Sequence, residues 1–240
     1  MTCSQLVWQV GPLIVVQPVT YPTERFPRSV MNAGQNAPGV AVSVFDGAGL
    51  PRPLRGLPML EGDDIAACRR LVVVGSDADL AAVLTRLLRA ERLDVEVAYA
   101  PRRRTRATRT YRLPAGRRAA RRALRGTASR VPLIRDETGT ALVGRAEWLP
   151  ADAAVAIRGE AVVDDTVLFD GDAAGVWIEP TPALPGLRAS IRGPLPRWVS
   201  GRAAQLGTTG AALRRDGVPA PRPVRRSAFY RHVEGWLLVR

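Results

Sequence analysis

The sequence predicts a two-part fold, a parallel α/β half over 1–129 followed by an antiparallel, sandwich-like β half over 130–240. Two features carry this expectation. Residues 71–99 read as strand, helix, strand, the pattern of a parallel βαβ unit. After Gly126 the texture changes to short apolar runs broken by turns, among them VPLIRD, TALVGR, AVAIRG, TVLFDG, GVWIEP and EGWLLVR, which suits antiparallel strands.

The elements follow in order. PLIVVQ (12–17) and VAVSVF (40–45) read as strands, the second leading into the turn-rich GAGLPRPLRGLP. LVVVG (71–75) is a continuous β-branched run, so it is a buried strand. Ser76, Asp77 or Asp79 can then cap a helix that starts near Asp79, with Leu80, Val83, Leu84, Leu87 and Leu88 on its apolar face. VEVAY (95–99) closes the βαβ unit. A second helix is expected over 115–125, with Ala119, Ala120, Ala123 and Leu124 inward, arginines outward, and Gly126 as its C′ stop. The terminal EGWLLVR reads as a strand with Trp236 and Leu238 on one face and Leu237 and Val239 on the other.

Composition narrows the chemistry. All the basic residues are arginine and the formal net charge is +13. From Arg102 to Arg130 there are 12 arginines, with no acid between Glu96 and Asp136, so the charge is a local field. The apolar runs are too short to span a bilayer, and no basic segment precedes the first of them. Cys3 and Cys68 lack disulfide or metal spacing. A cytoplasmic location, with room for peripheral membrane contact, is the expectation. A single histidine, His232, excludes HExxH and Cys₂His₂ zinc sites, and no GxSxG elbow or lysine-bearing phosphate loop occurs. No metal site is expected. Asp63-Asp64 and Asp164-Asp165 are sequence neighbours that would face opposite ways in a strand, which disfavours a shared acid/base pair. Asp216-Gly217 reads as a hairpin turn.

The order of motifs resembles the catalytic domain of diacylglycerol kinases and bacterial lipid kinases, within the NAD kinase/diacylglycerol kinase-like superfamily. GSDADLAAVL (75–84) stands where that family has a GGDGT turn and helix, with Gly75, Asp77 and Leu80 matching. APRRRTRATRTYRLP (100–114) lies over its GTGNDFAR-x-LG-x-P segment, with Arg109, Leu113 and Pro114 matching. RRDGVPAP (214–221) resembles its DGE region through Asp216 and Gly217. The resemblance implies ATP and Mg²⁺ as cofactors and a lipid as acceptor, if the kinase chemistry is retained. Asp77 and Asp216 are then remnant catalytic positions, and Gly75, Ser76, Arg102, Arg103, Arg104, Thr105 and Arg109 are candidates for phosphate or anion contact.

The departures shape the functional expectation. Ser76, Ala78 and Asp79 replace two glycines and a threonine of the phosphate turn, and Asp79 brings a negative charge. Arg102, Arg103 and Arg104 replace GTG, and Thr105 replaces its asparagine. Val218 stands where the family has its glutamate base, and valine takes no proton. The family's metal-associated aspartate falls on Pro132 or Leu133, with the acids Asp136 and Glu137 nearby. The first expectation is therefore a catalytically degenerate lipid kinase-like protein that binds an anionic lipid or phosphorylated ligand as a regulatory module. Two alternatives stay open: an active ATP-dependent lipid kinase with a rearranged phosphate site, and a non-specific nucleic-acid-binding protein. The last rests on charge alone, because no arginine stretch is interleaved with aromatics.

Overall fold

The computed structural model describes residues 39–240 apart from 46, 48, 152 and 153. The strand expected at 12–17 lies outside the described residues. The first sheet takes strands β1 (Val40–Val44), β2 (Arg70–Val74), β3 (Glu96–Tyr99) and β4 (Ala128–Val131), together with the final strand β16 (Trp236–Val239). Its five strands run in the order β1-β2-β3-β16-β4. The first four in that order are parallel, and β4 is antiparallel to β16. Strands β2 and β3 are neighbours, as the βαβ reading requires.

Helices cover both faces of this sheet. Helix α1 (Asp77–Arg89) buries Leu80, Val83, Leu84 and Leu87 against Leu71, Val73, Val97, Trp236 and Leu238. Each buried leucine contributes about 1.5–3 kcal/mol. The helix begins at Asp77 rather than near Asp79, because Ser76 and Asp79 cap it reciprocally. A short helix α2 (Arg106–Thr110), for which the sequence shows no periodicity, follows β3. Helix α3 (Gly116–Arg125) lays Ala119, Ala120 and Ala123 on the other face, beside Val72, Val74, Ala98 and Val239. Trp236 and Leu238 therefore face one cluster and Val239 the other, as expected of a strand buried on both sides.

Two residues explain how α3 ends. Gly126 directly follows the last helical residue, as the sequence predicts, and is extended (φ −68°). Space is the reason for glycine: a Cβ there would meet the Arg122 carbonyl at 2.8 Å and Val239 at 3.0 Å. Arg70, buried in β2, reaches the last turn of α3. Its guanidinium donates to the carbonyls of Ala123 (3.0 Å) and Leu124 (3.2 Å) and to Glu96 (2.6 Å). A cation at the carbonyl end of a helix also suits the helix dipole.

The second sheet is antiparallel throughout. It comprises β5 (Ile134–Asp136), β6 (Ala141–Leu142), β7 (Ala146–Pro150), β8 (Ile157–Val163), β9 (Thr166–Ala173) and β10 (Val176–Pro180). It continues with β11 (Leu187–Ile191), β12 (Val199–Gly201), β13 (Ala203–Arg215), β14 (Val218–Pro219) and β15 (Val224–Arg231). Its backbone order is β12-β11-β10-β7-β13-β15-β5-β6. The long β13 is shared: its first half pairs with β8 and β15, its second with β7. The core of this sheet includes Trp148, Phe229, Ile178, Leu187, Ala189 and Leu213. The chain passes from the first sheet to the second after Val131 and returns at Trp236, so residue 130 lies within β4. Among the described residues no helix is long and apolar enough to cross a membrane.

Candidate functional site

Strand alternation builds the floor of a cleft. Ala146, Trp148, Ile178, Leu187, Ala189 and Leu213 point into the second core. Their neighbours Glu147, Trp177, Glu179, Arg188 and Arg214 must then point the other way. Register sets them side by side: Arg188 is opposite Glu179, Trp177 opposite Glu147, and Glu147 opposite Arg214. Trp177 donates its indole N–H to Glu147 at 3.1 Å, and Arg214 donates to the other oxygen at 3.2 Å. Arg188 donates to Glu179 at 2.7 Å, and Arg145, from the β6–β7 connection, donates to it at 2.9 Å. Arg145 also stacks on Trp177 and Arg188 on Trp198, at 4.4 and 4.3 Å from the ring centres. Burial pushes the Glu179 carboxyl up, but the hydrogen bonds from Arg188 and Arg145 outweigh it and hold it below the ordinary carboxylate range.

The opposite wall comes from α1, α2 and the β13–β14 hairpin. Asp77 accepts the Tyr99 hydroxyl at 3.0 Å on one oxygen and the Ala107 N–H at 3.1 Å on the other. Asp216 sits in the two-residue turn between Arg215 and Val218, left-handed as Gly217 is (φ 47° and 89°). The Asp-Gly pair is the turn chemistry such a hairpin needs. Its carboxylate accepts three backbone N–H groups, from Val143 (3.1 Å), Gly144 (2.7 Å) and Arg145 (3.0 Å). The two acids meet across Gly144, where a Cβ would lie 2.9 Å from an oxygen of each. Glycine is required there by close approach. Burial pushes the Asp216 carboxyl up to about 7; the Asp77 charge adds to this and the three N–H bonds oppose it.

Two hollows share Arg106. The first, about 450 Å³, is bordered by Asp77, Asp216, Arg145, Glu147 and Arg214. The second, about 330 Å³, is bordered by Arg109, Thr110, Arg112, Glu179 and Arg188. Arg106 lies 3.7 Å from Glu179. Among the described residues no three His, Cys, Asp or Glu side chains cluster as a metal ion would need.

The residues singled out by sequence are distributed unevenly around this cleft. Asp77 and Asp216, separated widely along the chain, are brought together. Gly75 and Ser76 lie at the end of β2, where Asp79 closes the turn. Its carboxylate accepts the N–H and the hydroxyl of Ser76, both at 2.7 Å, while the Asp79 N–H donates back to that hydroxyl at 3.3 Å. Thr105 caps α2 through Thr108. Arg109 borders the second hollow. Arg102, Arg103 and Arg104 are exposed, and Arg102 borders a separate hollow with Leu50, Val74 and Arg117 on the α3 side of the first sheet. Asp136 is fully buried and holds Arg215 and the amides of Thr138 and Thr140, and Glu137 accepts the Ala228 N–H. Val218 is exposed in the hairpin.

Sequence reasoning missed Arg106, Arg145, Glu147, Glu179, Arg188 and Arg214. One signal was readable: VWIEP places a carboxylate within an apolar strand, and a buried acid needs partners.

No family model matches the sequence, and no curated protein matches it. Solved structures do. A diacylglycerol kinase from Bacillus anthracis str. Sterne is similar over 86% of this chain and 98% of its own, with a TM-score of 0.62 at 12% identity. An NAD kinase from Archaeoglobus fulgidus, in complex with ATP, is similar over 84% and 93%, with a TM-score of 0.58 at 15% identity. Yeast NADH kinase complexed with NADH is similar over 76% and 66%, with a TM-score of 0.54 at 11% identity. The fold is the two-part NAD kinase/diacylglycerol kinase-like fold, with the mixed parallel sheet and the large antiparallel sheet that the sequence predicts.

Proposed function

We propose that this chain uses a kinase-like fold without phosphoryl transfer and holds an anionic ligand in the cleft around Arg106. The observation that carries this reading is the Asp79 carboxylate at the strand–turn–helix. It takes the N–H and the hydroxyl of Ser76, donors that would otherwise be open to an incoming phosphate. A nucleotide phosphate arriving there meets a fixed negative charge, so ATP with Mg²⁺ does not fit this turn. Asp216 is committed to three backbone N–H groups, and Val218 offers no proton acceptor. Against this, Arg106, Arg109, Arg112, Arg145, Arg188 and Arg214 line the two hollows and favour anions.

The test is transfer of phosphate from [γ-³²P]ATP with Mg²⁺ to diacylglycerol or a sphingoid base. No product above a protein-free control is expected. A second reading, an active lipid kinase with a rearranged site, is favoured by Asp216 alone, because a carboxyl near 7 suits a general base at neutral pH. Turnover abolished by both Asp77→Asn and Asp216→Asn would establish that reading and end the first.

A further inference from the structure

The second hollow is built around one nearly buried carboxylate. Glu179 lies at its base, and its side chain is only 11% exposed. It fixes Arg188 and Arg145 by hydrogen bonds and attracts Arg106, so one carboxylate orients three guanidinium groups. Arg109 and Arg112 complete the wall and, among the described residues, neither is ion-paired. Positive charge therefore exceeds negative by several units around a space of about 330 Å³.

Arg112 adds a separate observation. It follows α2 in the left-handed region (φ 55°), where its neighbour Leu113 donates back to Thr108 at 2.8 Å. Glycine is the low-cost residue at such a helix stop; a branched-free side chain costs about 1 kcal/mol there. Glu91 makes the same kind of stop after α1, so what matters at Arg112 is its place: the stop sets its guanidinium on this wall.

We infer that the Arg106–Arg109–Arg112–Arg188 hollow binds a phosphate monoester. Arg106 and Arg109 come from α2 and Arg112 from just after it, and Arg188, whose Nε and Nη2 are held by Glu179, comes from β11 on the other side. A planar carboxylate presents two oxygens in one plane, whereas a monoester presents three oxygens and nearly two charges at neutral pH. A diester carries one charge and two free oxygens, which leaves forks unmatched. At about 330 Å³ the hollow also has room for part of the molecule that bears the phosphate. The monoester can be a free metabolite or the headgroup of a lipid such as phosphatidate. The inference deepens the anion-binding reading and depends on it only for the choice of cleft. It stands even if phosphoryl transfer is detected.

The experiment uses the full chain in physiological salt. Methyl phosphate and dimethyl phosphate are titrated by calorimetry and by shift in melting temperature. Methyl phosphate is expected to saturate and to raise the melting temperature, and dimethyl phosphate to do neither. Arg109→Gln/Arg112→Gln, which breaks no ion pair, is expected to weaken methyl phosphate binding about tenfold or more with the unliganded melting temperature retained. Arg188→Gln is expected to weaken methyl phosphate binding as well, and also to lower the unliganded melting temperature, because it removes the partner of Glu179 and the stack on Trp198. Arg118→Gln/Arg121→Gln, on α3, is the control that keeps parental affinity. Phosphatidate and phosphatidylglycerol vesicles of matched surface charge distinguish the sources. Stronger binding to phosphatidate that is lost in Arg109→Gln/Arg112→Gln supports a lipid monoester, and equal binding with saturable methyl phosphate supports a soluble one. Equal affinity for the two methyl esters, parental affinity in Arg109→Gln/Arg112→Gln, or no saturation by about 10 mM methyl phosphate overturns the inference.

Discussion

The Gly144 amide donates to the Asp216 carboxylate at 2.7 Å, and this bond fastens the β13–β14 hairpin to the connection before β7. The same carboxyl is pushed up to about 7 by burial and by Asp77. Between about pH 4 and 7 the unfolded chain has released a proton that the folded chain retains, so this group's contribution to stability falls as pH rises. The slope is at most about 1.4 kcal/mol per pH unit, and it vanishes above the folded value. Asp216→Asn cannot titrate. Urea unfolding from pH 4 to 8 should show the variant gaining on the parent up to about pH 7 and then running parallel to it. Curves parallel over the whole range would mean that Asp216 is ionised throughout.

Ser227 presents a simpler case. The buried Trp148 indole donates to its hydroxyl at 3.0 Å, in the core of the second sheet. Ser227→Ala removes the acceptor and leaves the indole N–H unsatisfied, which costs about 1–3 kcal/mol. Ser227→Thr keeps the hydroxyl and serves as the control in the same denaturation series.

Asp79 is both cap and occupant of its turn. Asp79→Ala loses the reciprocal bonds to Ser76 and should destabilise the chain by about 1 kcal/mol. If Asp79 served only to exclude phosphate, the melting temperature would be unchanged.

These residues differ in how far the sequence discloses them. The βαβ unit was legible because strand and helix periodicities are local, and Leu80, Val83, Leu84 and Leu87 do form the buried face of α1. Asp77 and Asp216 were singled out through motif resemblance, but their meeting across Gly144 depends on a hairpin and a connection about 70 residues apart. The Arg145–Trp177 and Arg188–Trp198 stacks were beyond reach for the same reason. A search for arginines beside aromatics in the sequence finds none of these, since strand pairing supplies the neighbours. Helix α2 was missed because its five residues are too few to show a period.

Helix α3 carries a second concentration of charge. Arg117, Arg118, Arg121, Arg122 and Arg125 are exposed, the helix has no acid, and its alanine face is committed to the first sheet. Residues four apart rise by about 6 Å, so Arg117, Arg121 and Arg125 form a row along one side. Such a row should attract any anionic surface without selecting a headgroup or base, unlike the cleft. Near an anionic membrane each arginine contributes on the order of 1 kcal/mol, and the attraction fades as the Debye length shrinks with salt. On duplex DNA the logarithm of affinity should fall with the logarithm of salt concentration by about 0.9 for each phosphate neutralised. Changing the five arginines to glutamine should therefore flatten the salt dependence on both surfaces by several units. The corresponding change at Arg102, Arg103 and Arg104 should flatten it less, because fewer charges are removed. Co-sedimentation with phosphatidylglycerol vesicles and fluorescence anisotropy with random-sequence DNA measure both slopes. Parental slopes in the five-arginine variant would show that this face is merely solvated and that any attraction to anionic surfaces comes from arginines outside α3.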